Sequence, residues 1–356
     1  MISTGWAAQG KYSGTLIETE EFIQRSTGWY QGFPLFLFNG PCRSSYRTRW
    51  SRHLVLCCTG GVDEVLRSVS GAGEVSIMVV KGTNLVQEAC TRHKTAPTAS
   101  AALGRALLGT LLMGCFRAEG EATQVTFKGD GLLGGMQVVA DALGSVKGKV
   151  GDPTADPPLR PDGKLNVGAA VGRGVLSVVR SNVAQEKPYT GFTEIKTGEV
   201  GDDLAAYLAD SEQVNCALAL GVSINRDCSV RAAGGYLIQV LPFASEETLQ
   251  LLERNIAACP SVTELLQRGK SPRDIAERLL GGLGVSDGGP PIEPRYGPCE
   301  PEALKERMKR AVALLGPAEV QDILAKQGKI EVSCDFCRET YQFAEEEILA
   351  AAPMQQ

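Results

Sequence analysis

The sequence predicts an α+β protein: a core domain of antiparallel sheets with a central buried helix, a helical linker, and a small C-terminal domain resembling a zinc knuckle. Three observations predict it. The run Pro97 to Gly114 is apolar or small on every face, as a helix in the middle of a domain must be. Strand-like segments separated by Gly-Asp-Gly and lone glycines surround it and signal hairpins. Near the end, Cys334 and Cys337 lie between two short alternating apolar runs, as in a knuckle between strands.

The elements follow in chain order. Residues 1–64 are an N-terminal extension: from Phe22 to Val62 there is no Asp or Glu, while Arg25, Arg43, Arg47, Arg49 and Arg52 supply positive charge. This composition resembles an organelle transit peptide, a plastid before a mitochondrion, although Glu18, Glu20 and Glu21 depart from it. The alternatives are a disordered extension or an upstream start codon, the latter readings leaving a cytoplasmic protein. The core domain spans 65–243, with order expected from about Glu74. Val75 to Val80 is a strand closed by Lys81-Gly82. The buried helix from Pro97 follows, then strands at Thr123 to Lys128, Gly135 to Ala140 and Val146 to Val150. Four prolines make Asp152 to Gly163 a loop. Strands at Gly174 to Val179 and Phe192 to Ile195 lead to a helix from Asp202 to Ser211. A strand pair, Val214 to Val222 and Gly234 to Pro242, closes the core domain.

The linker covers 244–295. Ser245 caps a first helix, where Glu246 and Glu247 favour the positive end of the helix dipole. Two more short helices start at Pro260 and Ser271, and the Gly/Pro-rich run Gly281 to Pro294 is a hinge. Helices this short are marginal alone. Their apolar residues, Leu249, Leu251, Leu252, Ile256, Leu265, Leu266, Ile275, Leu279 and Leu280, form packing faces. The C-terminal domain, 296–356, has a helical stripe from Leu304 to Leu315, a second helix restarted at Pro317, and the CxxC hairpin. A unit so small needs a staple: metal, disulfide, or docking onto the core.

Composition excludes several functions. A net charge of −5 and a pI near 5.4 supply no basic field for nucleic acid or anionic membranes. No uninterrupted apolar stretch reaches spanning length. Gly129 to Gly134 fits GxGxxG, but a strand follows, so no helix N-terminus receives a pyrophosphate; the glycines are hairpin turns. Gly269-Lys-Ser271 lacks the earlier glycine of a P-loop, since position 264 is Glu, which speaks against ATP binding. Eleven scattered cysteines make no even disulfide framework, and most, such as Cys115 and Cys216 in apolar runs, are expected to be small core residues. Cys334 and Cys337 can share a metal or pair as a disulfide. A closed zinc site needs four donors; Cys299 is the one nearby thiol, and no histidine is expected in reach, His53 and His93 being the only two. A thiol oxidoreductase would place its CxxC where a strand meets a helix, and a nucleic-acid ribbon would not carry Glu331, Asp335 and Glu339.

Six ordered strings then fit one family: Lys128-Gly-Asp-Gly-Leu-Leu-Gly-Gly135, Gly168 to Gly174, Pro188-Tyr-Thr-Gly191, Asp210-Ser-Glu-Gln213, Ala233 to Pro242, and Glu331-Val-Ser-Cys-Asp-Phe-Cys337. From about Val75 to Leu349 the chain closely resembles the heat shock protein 33 family of redox-regulated chaperonins. The resemblance implies a holdase that is not an enzyme and uses no ATP. It further implies unfolded client proteins as partners, a homodimer when active, and zinc on four thiolates from a CxC and a CxxC. Oxidation releases that zinc, forms disulfides and unfolds the linker. Cys334 and Cys337 match the CxxC; the CxC does not carry over. Alignment places either Pro301-Glu-Ala303 or, with a short insertion, Gly297-Pro-Cys299 in its stead. The metal and disulfide residues expected here are therefore Cys334, Cys337 and Cys299, with Glu300, Glu302 or a distant thiol left to complete the set. Two further readings stand beside a redox-switched holdase: one that holds clients constitutively, and a disulfide oxidoreductase.

Overall fold

The computed structural model describes residues 61–182, 187–297, 301–344 and 347–348. The N-terminal extension up to residue 60, and Cys299 with Glu300, lie outside them. Sheet A runs β10-β1-β2-β9-β8: β1 (Glu64–Ser70), β2 (Val75–Lys81), β8 (Cys216–Ile224), β9 (Val230–Val240) and β10 (Val285–Asp287), all neighbours antiparallel. Sheet B runs β11-β5-β4-β3-β6-β7: β3 (Glu121–Gly129), β4 (Met136–Asp141), β5 (Ser145–Val150), β6 (Gly174–Asn182), β7 (Tyr189–Ile195) and β11 (Arg295–Tyr296). It is mixed, not purely antiparallel as expected, because the two-residue β11 joins β5 in parallel.

Between the sheets lies α2 (Pro97–Cys115), whose residues from Thr98 onward are all buried. By length and apolarity α2 would pass for a membrane span, against the reading that no stretch reaches that length; its complete enclosure by protein makes it a core helix. Glycines let the layers close: a methyl on Gly104 would come 2.6 Å from Val86 and 2.9 Å from Val222. Two helices stand beside it, α1 (Thr83–His93) and α4 (Val200–Asp210). The short α3 (Val167–Val171) backs the Gly129–Gly134 turn, where a methyl on Gly131 would sit 2.4 Å from the Ala170 carbonyl oxygen; the strand after that turn is β4.

The other face of sheet A carries α5 (Glu246–Ala257), α6 (Val262–Gln267) and α7 (Pro272–Leu279). Alternation along β2 explains both layers: Met78 and Val80 join the inner core, while Val75, Ile77 and Val79 join Leu252, Val262, Leu265, Ile275 and Leu279 outside. Each helix is capped by a serine: Ser245 accepts from the Thr248 N–H, Ser261 from Glu264, and Ser271 with Asp274 closes a reciprocal capping box. The C-terminal unit comprises α8 (Pro301–Ala313), α9 (Pro317–Gln327) and the hairpin β12 (Ile330–Ser333) and β13 (Thr340–Phe343).

Three features differ from expectation. Order begins ten residues earlier than Glu74, because β1 supplies the pairing partner of β2. The helix α1 lies between Gly82 and Pro97, a stretch in which no element is expected from sequence. The Gly/Pro-rich hinge is tied down at several points: β10 pairs with β1, Ile292 exchanges both backbone hydrogen bonds with Val65, and the Arg295 N–H donates to Gly144.

Candidate functional site: a thiol knuckle docked on the core

Strand pairing of β12 with β13 ends at Ser333–Thr340, and the six residues between them form the knuckle. The Cys334 N–H donates to the Glu339 carbonyl at 2.8 Å, and the Arg338 N–H returns to the Cys334 carbonyl at 2.7 Å. Arg338 adopts the left-handed region, φ +53°, which reverses the chain and turns both thiols inward. Cys334 is 4 % exposed and Cys337 0 %. Burial, and then the neighbouring Cys334, push the Cys337 thiol up to about 11, so that thiol is held protonated near neutrality.

The pair does not sit in its own small domain's core. Val312, Val320, Ile330, Phe343 and Ile348 form that cluster, whereas Cys334 and Cys337 belong to the large cluster of α1, α2 and sheet B. Four side chains make the joint. Arg92, in the last turn of α1, donates to the Cys337 carbonyl at 3.0 Å and to the Glu339 carboxylate at 2.6 Å. Its other terminal nitrogen pairs with Glu88 at 2.5 Å, one turn back. The His93 Nε2 lies 2.8 Å from the Tyr296 hydroxyl and 3.2 Å from the Phe336 carbonyl. Tyr296 reaches the carbonyls of Phe336 at 3.0 Å and Gly148 at 3.1 Å. Burial foremost, helped by Arg338 and Arg92, lowers the His93 pKa, keeping it neutral. The Phe336 ring faces two cations of β5, Lys149 at 5.0 Å and Lys147 at 5.9 Å.

Of the residues expected from sequence, the structure brings Cys334 and Cys337 together, and Cys299 lies outside the described residues. His93, remote in sequence, stands against the knuckle, so histidine is near after all, through 243 residues of separation; its Nε2 is committed to Tyr296 and Phe336. Among the described residues no three His, Cys, Asp or Glu side chains converge on a point that could hold a metal, and Glu302 on α8 joins no such group. The described donors therefore do not fit a closed zinc site, which needs four. Cys90 and Cys115 are buried, as expected of small core residues, while Cys216 is half-buried and Cys228 exposed.

The second functional surface is the outer face of sheet A. Leu66, Val75, Ile77, Val79, Tyr236 and Ile238 present a continuous apolar face, covered by α5–α7. Of the linker residues expected to pack, Leu252, Leu265, Ile275, Leu279 and Leu280 are buried on it, and Ile256 and Leu266 partly so.

Comparison with known proteins follows this geometry. A family model described as Hsp33 protein matches residues 63–344. A 33 kDa chaperonin of Geobacter sulfurreducens is 40 % identical over 286 residues, covering 80 % of this chain and 93 % of the relative. A 33 kDa chaperonin of Clostridioides difficile is 40 % identical over 294 residues, covering 81 % and 97 %. The crystal structure of a 33 kDa chaperonin, a heat shock protein 33 homologue, from Thermotoga maritima superposes with a TM-score of 0.71 at 31 % identity, covering 82 % of this chain and 97 % of that one.

Proposed function

The chain belongs to the Hsp33 protein family, and on that premise we propose that it is an ATP-independent holdase whose client surface is the outer face of sheet A and whose thiol pair senses oxidants. A chaperone with unfolded clients is what the family and the relatives' names support. The observation that carries the finer reading is the cover itself. Six apolar residues of sheet A lie under three helices of 12, 6 and 8 residues, lengths that are unstable without the sheet beneath them. Lifting the cover bares an apolar surface of the kind that binds unfolded chains.

The knuckle connects to that cover through Tyr296. The linker's far end is held by β10 on β1, by Ile292 on Val65 and by β11 on β5, and Tyr296 of β11 is in turn bonded to Phe336. In the proposed reaction one sulfur of the pair attacks hydrogen peroxide, the O–O bond breaks, and a sulfenic acid and water form. The second sulfur displaces the sulfenic oxygen as a second water, leaving a Cys334–Cys337 disulfide; two thiols are oxidised and one peroxide reduced. The knuckle reshapes, Tyr296 loses its partner, and the last tie on the linker weakens. Zinc, the expected cofactor, stays a proposal that requires donors such as Cys299. Dimerisation of the active form, and an organelle, plastid before mitochondrion, as its compartment, are likewise proposed; sizing the active protein and sequencing the mature N-terminus test them.

A constitutive holdase is favoured by one observation, the lack of a third metal donor among the described residues. A disulfide oxidoreductase is disfavoured, because the pair lies in a hairpin between β12 and β13 and not where a strand meets a helix. Aggregation of a chemically unfolded client, followed by light scattering without ATP, tests the reading. Suppression by peroxide-treated protein alone supports the switch, equal suppression by the reduced form indicates constitutive holding, and none by either form refutes the holdase.

A further inference from the structure

We propose that the last turn of α1, through Arg92 and His93, gates the thiol pair: Cys334 and Cys337 meet an oxidant only when the C-terminal unit lifts from the core domain. This rests on the reading that the pair is redox-active, and it assigns the control to residues outside the redox domain itself. The C-terminal unit has its own apolar cluster, and neither cysteine is in it; both fall in the large cluster that joins the core domain to Leu304 of α8. At 4 % and 0 % exposure, neither sulfur offers a peroxide an approach. Moving the unit away would strip the core-domain side of that enclosure from the sulfurs without unfolding either domain.

What holds the lid down is equally local. Arg92 spans the joint, donating to the backbone carbonyl of Cys337 itself and to Glu339, two residues on. His93 and Tyr296 hold the carbonyl of Phe336, the residue before Cys337. Two adjacent knuckle carbonyls are thus bound by side chains of the core domain and of the linker's end. These are positioning residues: each acts by fixing the backbone that carries a sulfur. The carbonyls that they hold belong to the loop that carries both sulfurs, which already lie side by side. The gate therefore resists approach of the oxidant.

The test is site-resolved alkylation of the reduced full-length chain by N-ethylmaleimide, with Cys334 and Cys337 quantified by mass spectrometry. Cys115, 1 % exposed in α2, reports general loosening. When opening is fast relative to labelling, the rate follows the open population. Arg92→Ala removes a charge-assisted bond and is expected to raise labelling of the pair about tenfold, the factor that 1.4 kcal/mol represents. Glu339→Gln, at the other end of a half-exposed ion pair, should raise it about threefold, and Arg92→Lys should fall between wild type and Arg92→Ala. Cys115 should keep its wild-type rate throughout. Disulfide formation by peroxide should accelerate by the same factors. Pair labelling at the wild-type rate in both Arg92→Ala and Glu339→Gln overturns the gate, as does a rise in Cys115 labelling that matches the pair. Faster labelling in a protein that holds no client after oxidation would support the gate and refute the holdase reading, so the two fail separately.

Discussion

If α5–α7 are a removable cover, a wedge placed beneath one of them should switch the chaperone on without oxidant. Gly221 of β8 offers the place. A methyl built there would lie 2.7 Å from Cγ2 of Thr263 in α6, with the next nearest atoms, also of Thr263, at 3.6 and 3.7 Å. Real Cβ atoms do not approach so closely, so Gly221→Ala forces either Thr263 or α6 to move. Thr263 is 2 % exposed and has little room to turn. Overpacking of this kind costs about 1–3 kcal/mol, which multiplies the open population of α6 by roughly 5- to 150-fold. The sheet does not share the cost, since an alanine there is a better strand residue than glycine and stabilises by about 0.4–1 kcal/mol through the unfolded state. Hydrogen exchange of the α6 amides and client holding by the reduced protein should rise together. The double variant Gly221→Ala/Thr263→Ser removes Cγ2 while keeping the hydroxyl, and should restore slow exchange and low activity. Fast α6 exchange in Gly221→Ala with no gain in holding would refute the reasoning that this cover hides the client surface.

Three further outcomes are expected. Ser271→Ala breaks the capping box with Asp274, costing α7 about 1 kcal/mol; exchange of α7 amides should accelerate about fivefold, with α2 unaffected. Burial pushes the Cys115 thiol up to about 11 from an ordinary value of 9.0, against the pull of Arg67. The folded form therefore keeps a proton that the unfolded form loses, so this stability is complete below about pH 9 and is lost as pH rises through about 11. Urea midpoints measured at about pH 8 and about pH 10.5 should fall, and Cys115→Ala should flatten the fall. Finally, two described thiols alone should surrender zinc to a chelator without loss of the folded C-terminal unit; stoichiometric zinc that survives EDTA and disappears in Cys299→Ser would show Cys299 completing the site.

What the sequence made legible is what is local. The helix α2 shows itself because every one of its faces is apolar or small, and the knuckle because two cysteines and their flanking strands lie within fourteen residues. The linker helices show in their serine caps and apolar spacing. Missed elements have weak or distant signals. In α1 the buried residues Leu85, Val86, Ala89, Cys90 and His93 do recur at helical spacing, but Gly82 offers no side-chain cap and polar residues dilute the stripe. A histidine on the buried side of that stripe was the signal that could have marked the joint. β11 is two residues long and defined only by its partner, so no pattern announces it. The joint itself links Arg92 to Cys337 across 245 residues, and only the fold brings them together. Physical reading of the chain thus finds the thiols but not what governs them.

The central claim is that client binding and uncovering of sheet A are one event. Hydrogen exchange of residues 245–280 can be followed in reduced and peroxide-treated protein, in parallel with light scattering of an unfolding client. The account predicts that peroxide speeds exchange across α5–α7, leaves α2 protected, and confers holding with the same dose dependence. Client held by oxidised protein whose α5–α7 remain as protected as in the reduced form would contradict it.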